Sequence, residues 1–371
     1  MTSSKPFRLL DLPSLAQDAV LPIMEIEDLY HLSKCSRRSR NSVKRFTRRK
    51  NYVFEVTANK SSYFLWLWGH NRGSQFCHEL RPMRNTDRLC EGMVATNCDD
   101  YWAATREEIA YFLDVLAREV RIIHMTDATK AIELMEFLKR ANPSPVKCVY
   151  HNDGTVVDDE IYKYVLKEMT SAIRIGIGAS PSAEFRFDEM QPFQCESVSI
   201  DNADWVTVDH LSRCFPNAKD VWLTINPERS QITPARMHQF FNAWRNGSKI
   251  ELLSLKCDWT KVDFRSMFEN VPSREVKRVE VRYRKKVFDD GKCFLIRQEQ
   301  SGVEAIACVD YLDGNLAFCL TTCFRLLRDD EPDKDDSEDS DSSDGFSERG
   351  SSEDEWGYED YLDNYDDFLY D

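Results

Sequence analysis

The chain has 371 residues, of which 42% are hydrophobic and 12% aromatic, enough for two or three domains with a sizeable core. Its net charge of −15 is unevenly distributed, because residues 329–371 hold 20 acidic and two basic side chains and the rest of the chain carries a net charge of about +3. This distribution argues against a folded body that is a strongly basic nucleic-acid binder or an acidic binding protein.

The N-terminus lacks the basic stretch and apolar run of a secretory signal. No apolar run approaches the ~18–20 residues of a membrane span, and the longest, such as residues 316–324, have the length of strands. We therefore expect a reduced cytoplasmic and/or nuclear protein without a membrane partner.

Three short helices are predicted in the first fifty residues. The first has apolar residues at helical spacing and ends near Leu21, because Pro22 cannot continue a regular helix. The second is predicted over residues 27–35 and the third over residues 37–46. So small a helical unit buries little surface by itself, so it needs either a partner or a neighbouring domain.

This segment resembles an F-box. The family pattern is matched without a gap by Leu12-Pro13, Val20-Leu21, Met24, Asp28-Leu29, Leu32, Cys35-Ser36, Arg37-Arg38 and Val43. The run from Leu32 to Arg38 looks like the nematode expansion of the family. The resemblance implies that the helices dock on a Skp-type adaptor through Leu9, Leu12, Pro13, Val20, Leu21, Met24, Leu29 and Leu32. The alternative is a three-helix cap that packs only on its own body.

Residues 31–50 carry nine Lys or Arg side chains and no acid. Such a stretch is typical of a nuclear-localisation signal or a nucleic-acid site. It is equally typical of a solvated helix face beside the F-box-like core. We favour the solvated face and do not expect nucleic acid as a partner.

The body, residues 51–328, is predicted to alternate strands and helices. Strands are expected at 52–56 and 62–68, and Thr105 with Glu108 predicts a capping box that begins a helix. Thr233-Pro234 predicts the start of another helix. Further strands are expected, with a helical stretch in each gap up to 275, at 121–125, 146–151, 173–178, 197–201, 220–226, 252–257 and 276–283.

This spacing of 23–32 residues is close to the leucine-rich-repeat period, although the strict repeat signature is missing. It predicts an irregular, leucine-rich-repeat-like α/β arc with these strands parallel and in chain order. A doubly wound sheet is the competing fold. Past residue 284 only strands are expected, at 293–298, 304–311 and 316–322, with hairpin turns at 300–302 and 313–315.

A second resemblance covers about residues 195–260. The positions Trp205, Leu211, Leu223 and the run from Phe240 to Gly247 look like the type 2 F-box-associated domain. In that family an aromatic-rich helix ending in Trp-x-x-Gly follows a strand. We interpret Trp205 and Trp244 as core aromatics rather than as ligand contacts.

The sequence contains few residue patterns that indicate catalytic chemistry. Gly176-Ile177-Gly178 is half of a dinucleotide fingerprint without its third glycine, and no phosphate loop or metalloprotease motif occurs. The 12 cysteines contain no Cys-x-x-Cys pair, and Cys319 with Cys323 is interpreted as core rather than as a metal half-site. We predict no catalytic, metal or cofactor-binding residue, and hence a protein that is not an enzyme.

The C-terminal residues 329–371 are predicted to be a disordered acidic tail. Ser351 and Ser352 each precede an acidic residue by three positions, which suits an acid-directed kinase. Residues 356–371 have apolar side chains at helical spacing, so they predict either an acidic amphipathic helix that folds on a partner or an unstructured extension that aids solubility.

Together these observations predict an α/β (α+β) protein with an F-box at residues 1–50, an α/β body and an acidic tail. The expected function is a substrate-recognition subunit of a Skp–cullin–RING ubiquitin ligase. Its partners would be a Skp-type adaptor, through it a cullin, and an unidentified protein substrate held in proximity for ubiquitination. The alternative is a non-ligase scaffold with a degenerate F-box.

Overall fold

The computed structural model describes residues 12–50, 52–69, 75–82, 93–151, 156–189, 191–257, 264–282, 286–288, 293–312 and 315–328. The chain divides into two units, Met1–Leu327 and Arg328–Asp371, and the description below concerns the first. Leu9, the acidic tail 329–371 and the centre of the predicted turn at 313–315 lie outside the described residues.

Eight α-helices lie within these ranges, and three are in the N-terminal segment. In chain order the helices are α1 (Ser14–Val20), α2 (Ile26–Cys35), α3 (Arg37–Thr47), α4 (Tyr101–Val115), α5 (Ala128–Ala141), α6 (Asp159–Glu168), α7 (Val208–Arg213) and α8 (Pro234–Arg245).

The three N-terminal helices begin and end close to the predicted positions. α1 ends at Val20, and a 3₁₀ turn over Leu21–Ile23 follows, because Pro22 lacks the N–H that a continued α-helix requires. Ser36 caps α3 and forms a reciprocal capping box with Ser39, which separates α2 from α3 sharply.

Seventeen strands in the described part of the chain form two sheets. They are β1 (Val53–Ala58), β2 (Tyr63–Trp68), β3 (Gln75–Pro82), β4 (Met93–Cys98), β5 (Val120–Met125), β6 (Cys148–His151), β7 (Arg174–Ile177), β8 (Ser197–Ile200), β9 (Asp220–Thr224), β10 (Leu252–Lys256), β11 (Ser273–Val276), β12 (Val279–Val281), β13 (Lys286–Phe288), β14 (Cys293–Arg297), β15 (Glu304–Leu312), β16 (Asn315–Thr321) and β17 (Phe324–Leu326).

The large sheet has 14 strands in the order β11-β14-β15-β16-β10-β9-β8-β7-β6-β5-β1-β2-β3-β4, and β13-β12-β17 form a separate small sheet. From β5 to β10 every neighbouring pair is parallel. These six strands therefore lie side by side in chain order, as predicted, whereas a doubly wound sheet reverses its strand order.

Three predictions about individual elements are wrong. α4 begins at Tyr101 and is capped by Asp100, so Thr105 does not start it; the Thr105 hydroxyl instead donates to the Tyr101 carbonyl inside the helix. The helical spacing of the apolar residues after Thr105 predicts that Val120 lies on the apolar face of this helix, but Val120 begins β5. The strand predicted at 276–283 is two short strands, β11 and β12.

A helix was predicted in every gap of the parallel block, and the gap between β7 and β8 contradicts this. Residues 178–189 and 191–196 contain no described helix. Pro181 and Pro192 lack the amide hydrogens that a helix there would use. Instead Phe185 and Phe187 pack edge-on against Trp205, with ring centroids 5.8 and 5.6 Å from it.

The helices pack on one face of the large sheet. Alternate strand residues, such as Val56, Ile123 and Val149, share a single core with helix residues such as Ile109 and Leu134. Trp205 and Trp244 are buried, and the Trp244 indole donates to the Ile250 carbonyl at 2.8 Å, so their interpretation as core aromatics is confirmed.

The small sheet covers the opposite face, over β14–β16. Val279, Val281 and Phe288 form a second core with alternate residues of these strands, among them the three buried cysteines Cys293, Cys308 and Cys319. Their thiols lie close enough to interact, and this raises the pKa of Cys308. The part of this face on β1, β2 and β5–β9 is called the open face below.

Candidate functional site

Two surfaces of the described structure are candidates for function: the N-terminal helices and the open face. The N-terminal helices are joined to the body by an aromatic cluster. Tyr30 of α2 packs against Phe76 of β3, with ring centroids 4.9 Å apart, and against Phe112 of α4 at 5.8 Å. Its hydroxyl lies 3.3 Å from Nδ1 of His78, which is buried. The N-terminal helices therefore share the body's core.

Ion pairs and hydrogen bonds reinforce this junction. Lys34 pairs with Glu108 at 2.9 Å, and Lys44 and Arg40 both pair with Asp114. These contacts hold the pKa of the Asp114 carboxyl below its usual range. The buried Thr47 hydroxyl donates to the Val115 carbonyl at the end of α4. Opposite charges thus orient α2 and α3 on α4.

The residues predicted to dock on a Skp-type adaptor differ in their exposure to solvent. Leu21 and Leu29 are each 1% exposed and belong to the core that the N-terminal helices share with the body. Leu12, Val20, Met24 and Leu32 are partly buried, and Pro13 is exposed. A partner could therefore contact Pro13 and the partly buried residues, while Leu21 and Leu29 support the fold.

Ile23 is the most exposed large apolar residue of the described chain, at 80%. The helical spacing of apolar residues that begins at Leu12 extends to Ile23, but the first helix ends before Pro22, and the 3₁₀ turn that follows leaves Ile23 exposed to solvent. Pro22 is exposed as well. We call Leu12, Pro13, Val20, Pro22 and Ile23 the N-terminal apolar segment.

The basic stretch lies mainly on exposed positions of α3 and the turn after it. Arg45 and Arg49 pair with Asp18 of α1 at 3.3 and 3.4 Å. Since such exposed pairs contribute little to stability, this surface resembles the solvated helix face that the sequence favours.

The open face of the sheet carries a cross-strand row of partly polar and aromatic residues. Register places Phe64, Thr57, His124, Tyr150, Gly176, Ser199 and Trp222 side by side on consecutive strands from β2 to β9. Beside this row, Trp66 and Trp68 lie on β2 with their rings 5.6 Å apart and inclined by 17°. No pattern in the sequence predicts a site at these residues.

Glu55 lies among these aromatic side chains. It is directly opposite Trp66 in the β1–β2 register. Its Oε2 accepts from the Trp68 indole at 3.3 Å, and its Oε1 accepts from the Thr57 hydroxyl at 3.2 Å. The Nε2 of His124 is 3.4 Å from Oε1. The carboxylate is therefore fixed in position and only 14% exposed.

The neighbouring rings are rigidly packed. The Tyr150 ring stacks on His124, with centroids 4.7 Å apart and planes inclined by 18°, and its other side covers Gly176, where a Cβ atom would lie 2.5 Å from the tyrosine Cδ1. Burial lowers the pKa of His124, and the nearby Glu55 opposes this only in part. His124 is therefore a neutral imidazole at pH 7.

Among the described residues, no group of three or more His, Cys, Asp or Glu side chains is arranged to hold a metal ion. Cys319 is buried and Cys323 is exposed. Across the same residues, no helix combines the length and apolarity that crossing a bilayer demands.

Comparison with known proteins gives one distant relative. The chain is 22% identical over 285 residues to the Caenorhabditis elegans protein named Skn-1 dependent zygotic transcript 15 protein, and the match covers 69% of this chain and 81% of that protein. No protein-family model matches the chain, and neither does a solved structure. The fold and the comparison together define a mixed α/β protein with a distant nematode relative.

Proposed function

We propose that the protein is a non-catalytic substrate receptor of a Skp–cullin–RING ubiquitin ligase, with an F-box at its N-terminus. The observation that carries the proposal is the exposure of Ile23 and Pro22 within the segment whose sequence resembles an F-box. An isoleucine that is 80% exposed is stabilised when a partner covers it, by about 1.5–3 kcal/mol for full burial.

We further propose that the body is a leucine-rich-repeat-like arc that presents its open face to a target protein. The support is the chain-ordered parallel strands with helices on one face, an arrangement in which each repeat packs on its neighbours. Because the N-terminal helices share the body's core, a docked adaptor would have a fixed orientation relative to the open face. Function then depends on proximity rather than on a catalytic side chain.

The alternative function is an F-box-like scaffold outside ubiquitin ligation. The observation that favours it is the close packing of the N-terminal helices on the body through Tyr30, Lys34 and Asp114. A three-helix cap that stabilises its own body would show the same contacts. The two functions differ in whether the N-terminal apolar segment binds an adaptor.

The test is the affinity of the full-length chain for a purified Skp-type adaptor, measured by isothermal titration calorimetry. Ile23→Ser should weaken binding about tenfold or more, since truncated interface hot spots cost at least ~2 kcal/mol. Leu12→Ala combined with Pro13→Ala should also weaken it. Val156→Ser is the matched control, because Val156 is 75% exposed on the body and should bind as the wild type does.

Wild-type affinity in both N-terminal variants would refute the docking surface. No binding of the unmodified chain would favour the scaffold. Thermal melts of each variant exclude loss of fold as the cause, since Ile23 and Pro13 are exposed and contribute little to the core.

A further inference from the structure

We propose that Glu55 and the aromatic side chains around it form a binding site for a cationic side chain, arginine or lysine, of a partner protein. The site consists of Glu55, Trp66, Trp68 and His124 on the open face. The identification of that partner as the ligase target rests on the proposed function. The binding itself is independent of the adaptor.

Hydrogen bonding within the described structure does not saturate the Glu55 carboxylate. An ionised carboxylate offers about four acceptor positions. The described hydrogen bonds use two of them, from the Thr57 hydroxyl and the Trp68 indole, and the Nε2 of His124 lies 3.4 Å from Oε1. Among the described residues, at least one acceptor position is therefore left for a donor from a partner. Because these contacts already fix the carboxylate, binding requires little rearrangement of Glu55.

The negative charge of Glu55 has no Lys or Arg side chain in contact with it among the described residues. Among the described residues, the side chains that contact the Glu55 carboxylate are an indole, a hydroxyl and an imidazole, and none belongs to Lys or Arg. Burial keeps His124 neutral at pH 7 by lowering its pKa. A negative charge that is only 14% exposed without a cation beside it is costly, and a cationic ligand would compensate it.

Aromatic side chains surround the Glu55 carboxylate. Trp66 lies opposite Glu55, and Phe64, Trp66 and Trp68 form a continuous row on β2 with ring centroids 6.3 and 5.6 Å apart. Tryptophan rings attract ammonium and guanidinium groups, most strongly when the contact is partly desolvated. Carboxylate and indole rings together recognise a cation rather than an anion or a neutral group.

The experiment uses the full-length chain labelled with ¹⁵N at tryptophan and an octapeptide of alternating glycine and arginine with blocked ends. The indole N–H signal of Trp68, identified by its loss in Trp68→Phe, reports the site directly. This readout separates the site from the acidic residues 329–371, which attract any cationic peptide. We expect the signal to shift saturably, and a glycine–lysine peptide to act in the same way. A glycine–glutamine peptide should have no effect.

Glu55→Gln should weaken the peptide affinity read from Trp68 about tenfold or more, through loss of a charge-assisted contact. Glu196→Gln is the matched control, because it removes one carboxylate from an exposed position just before β8 and should change the affinity less than twofold. If Glu55→Gln destabilises the fold, Trp66→Leu provides the second variant and should weaken binding severalfold.

Three outcomes would overturn the inference. They are an unmoved Trp68 signal at about millimolar arginine peptide, an equal response to the glutamine peptide, and equal losses in Glu55→Gln and Glu196→Gln. Without peptide, a Trp68 signal that shifts with protein concentration would show that the chain associates with itself through its basic stretch. This result would also overturn the inference, because a second copy of the chain would then occupy the site. Since no adaptor is present, these results leave the adaptor test unaffected.

Discussion

Replacing Gly176 by alanine should destabilise the protein because of the Tyr150 ring. A Cβ atom at this position would lie 2.5 Å from Cδ1 and 3.1 Å from Cε1 of Tyr150. The ring cannot simply turn away, because it is 8% exposed and stacks on His124. The backbone conformation is that of an ordinary strand, so the effect is one of space rather than of glycine's φ range.

The expected loss is about 1–3 kcal/mol, the usual cost of forcing a well-packed site to accommodate an extra methyl group. For a protein of this size it corresponds to a fall in Tm of a few degrees. Urea-induced unfolding, followed by far-ultraviolet circular dichroism and by tryptophan fluorescence, measures the change. Ser199→Ala is the matched control, since Ser199 is the β8 neighbour of Gly176 in the same row.

A double-mutant cycle identifies the tyrosine as the cause. With Tyr150→Ala already present, the additional change Gly176→Ala should cost less than about 0.5 kcal/mol, because the obstructing ring has been removed. An unchanged urea midpoint for Gly176→Ala, or the same loss with and without the Tyr150 ring, would refute this account of the open face.

Three further predictions concern stability. Burial lowers the pKa of His78, so the unfolded chain binds more protons than the folded one as the pH falls through about 6.5. The Tm should therefore drop between about pH 7.5 and 5.5. The drop should be smaller in His78→Gln, and an equal drop would contradict this prediction. Asp114→Ala should cost at most about 1 kcal/mol in urea unfolding at pH 7, since the carboxylate is 40% exposed. Because its pKa is lowered, this contribution is present above about pH 4 and vanishes as the pH falls through the folded-state pKa; a loss above ~3 kcal/mol would show a different role. Deleting residues 329–371 should leave Tm within about 1 °C by calorimetry, because their 20 acidic side chains oppose packing into a core. A large fall would show that they belong to the fold.

The elements that the sequence predicted well have strong local signals. Pro22 ends α1 where expected, and the six parallel strands are short apolar runs at regular spacing. In contrast, β3 was missed because His78, Glu79 and Arg81 interrupt its apolar pattern. These side chains are buried only because of partners elsewhere in the fold, such as Thr96 and Asn97 of β4.

The candidate sites were less predictable for the same reason. The apolar spacing that begins at Leu12 extends to Ile23 and does not indicate its exposure, which follows from the 3₁₀ turn over Leu21–Ile23. The Glu55 cluster depends on the registers of β1 with β2 and with β5, which bring Trp66 and His124 to one carboxylate. Such pairings between distant segments leave no pattern in the local sequence.

The most direct test of the central proposal is assembly with the ligase components. The full-length chain, a purified Skp-type adaptor and a cullin would be mixed at about micromolar concentration and separated by size exclusion with light scattering. The account predicts one peak with the mass of a complex containing one copy of each, and loss of the chain from that peak in Ile23→Ser. A chain that elutes alone while the adaptor and cullin form their own complex would contradict the proposal.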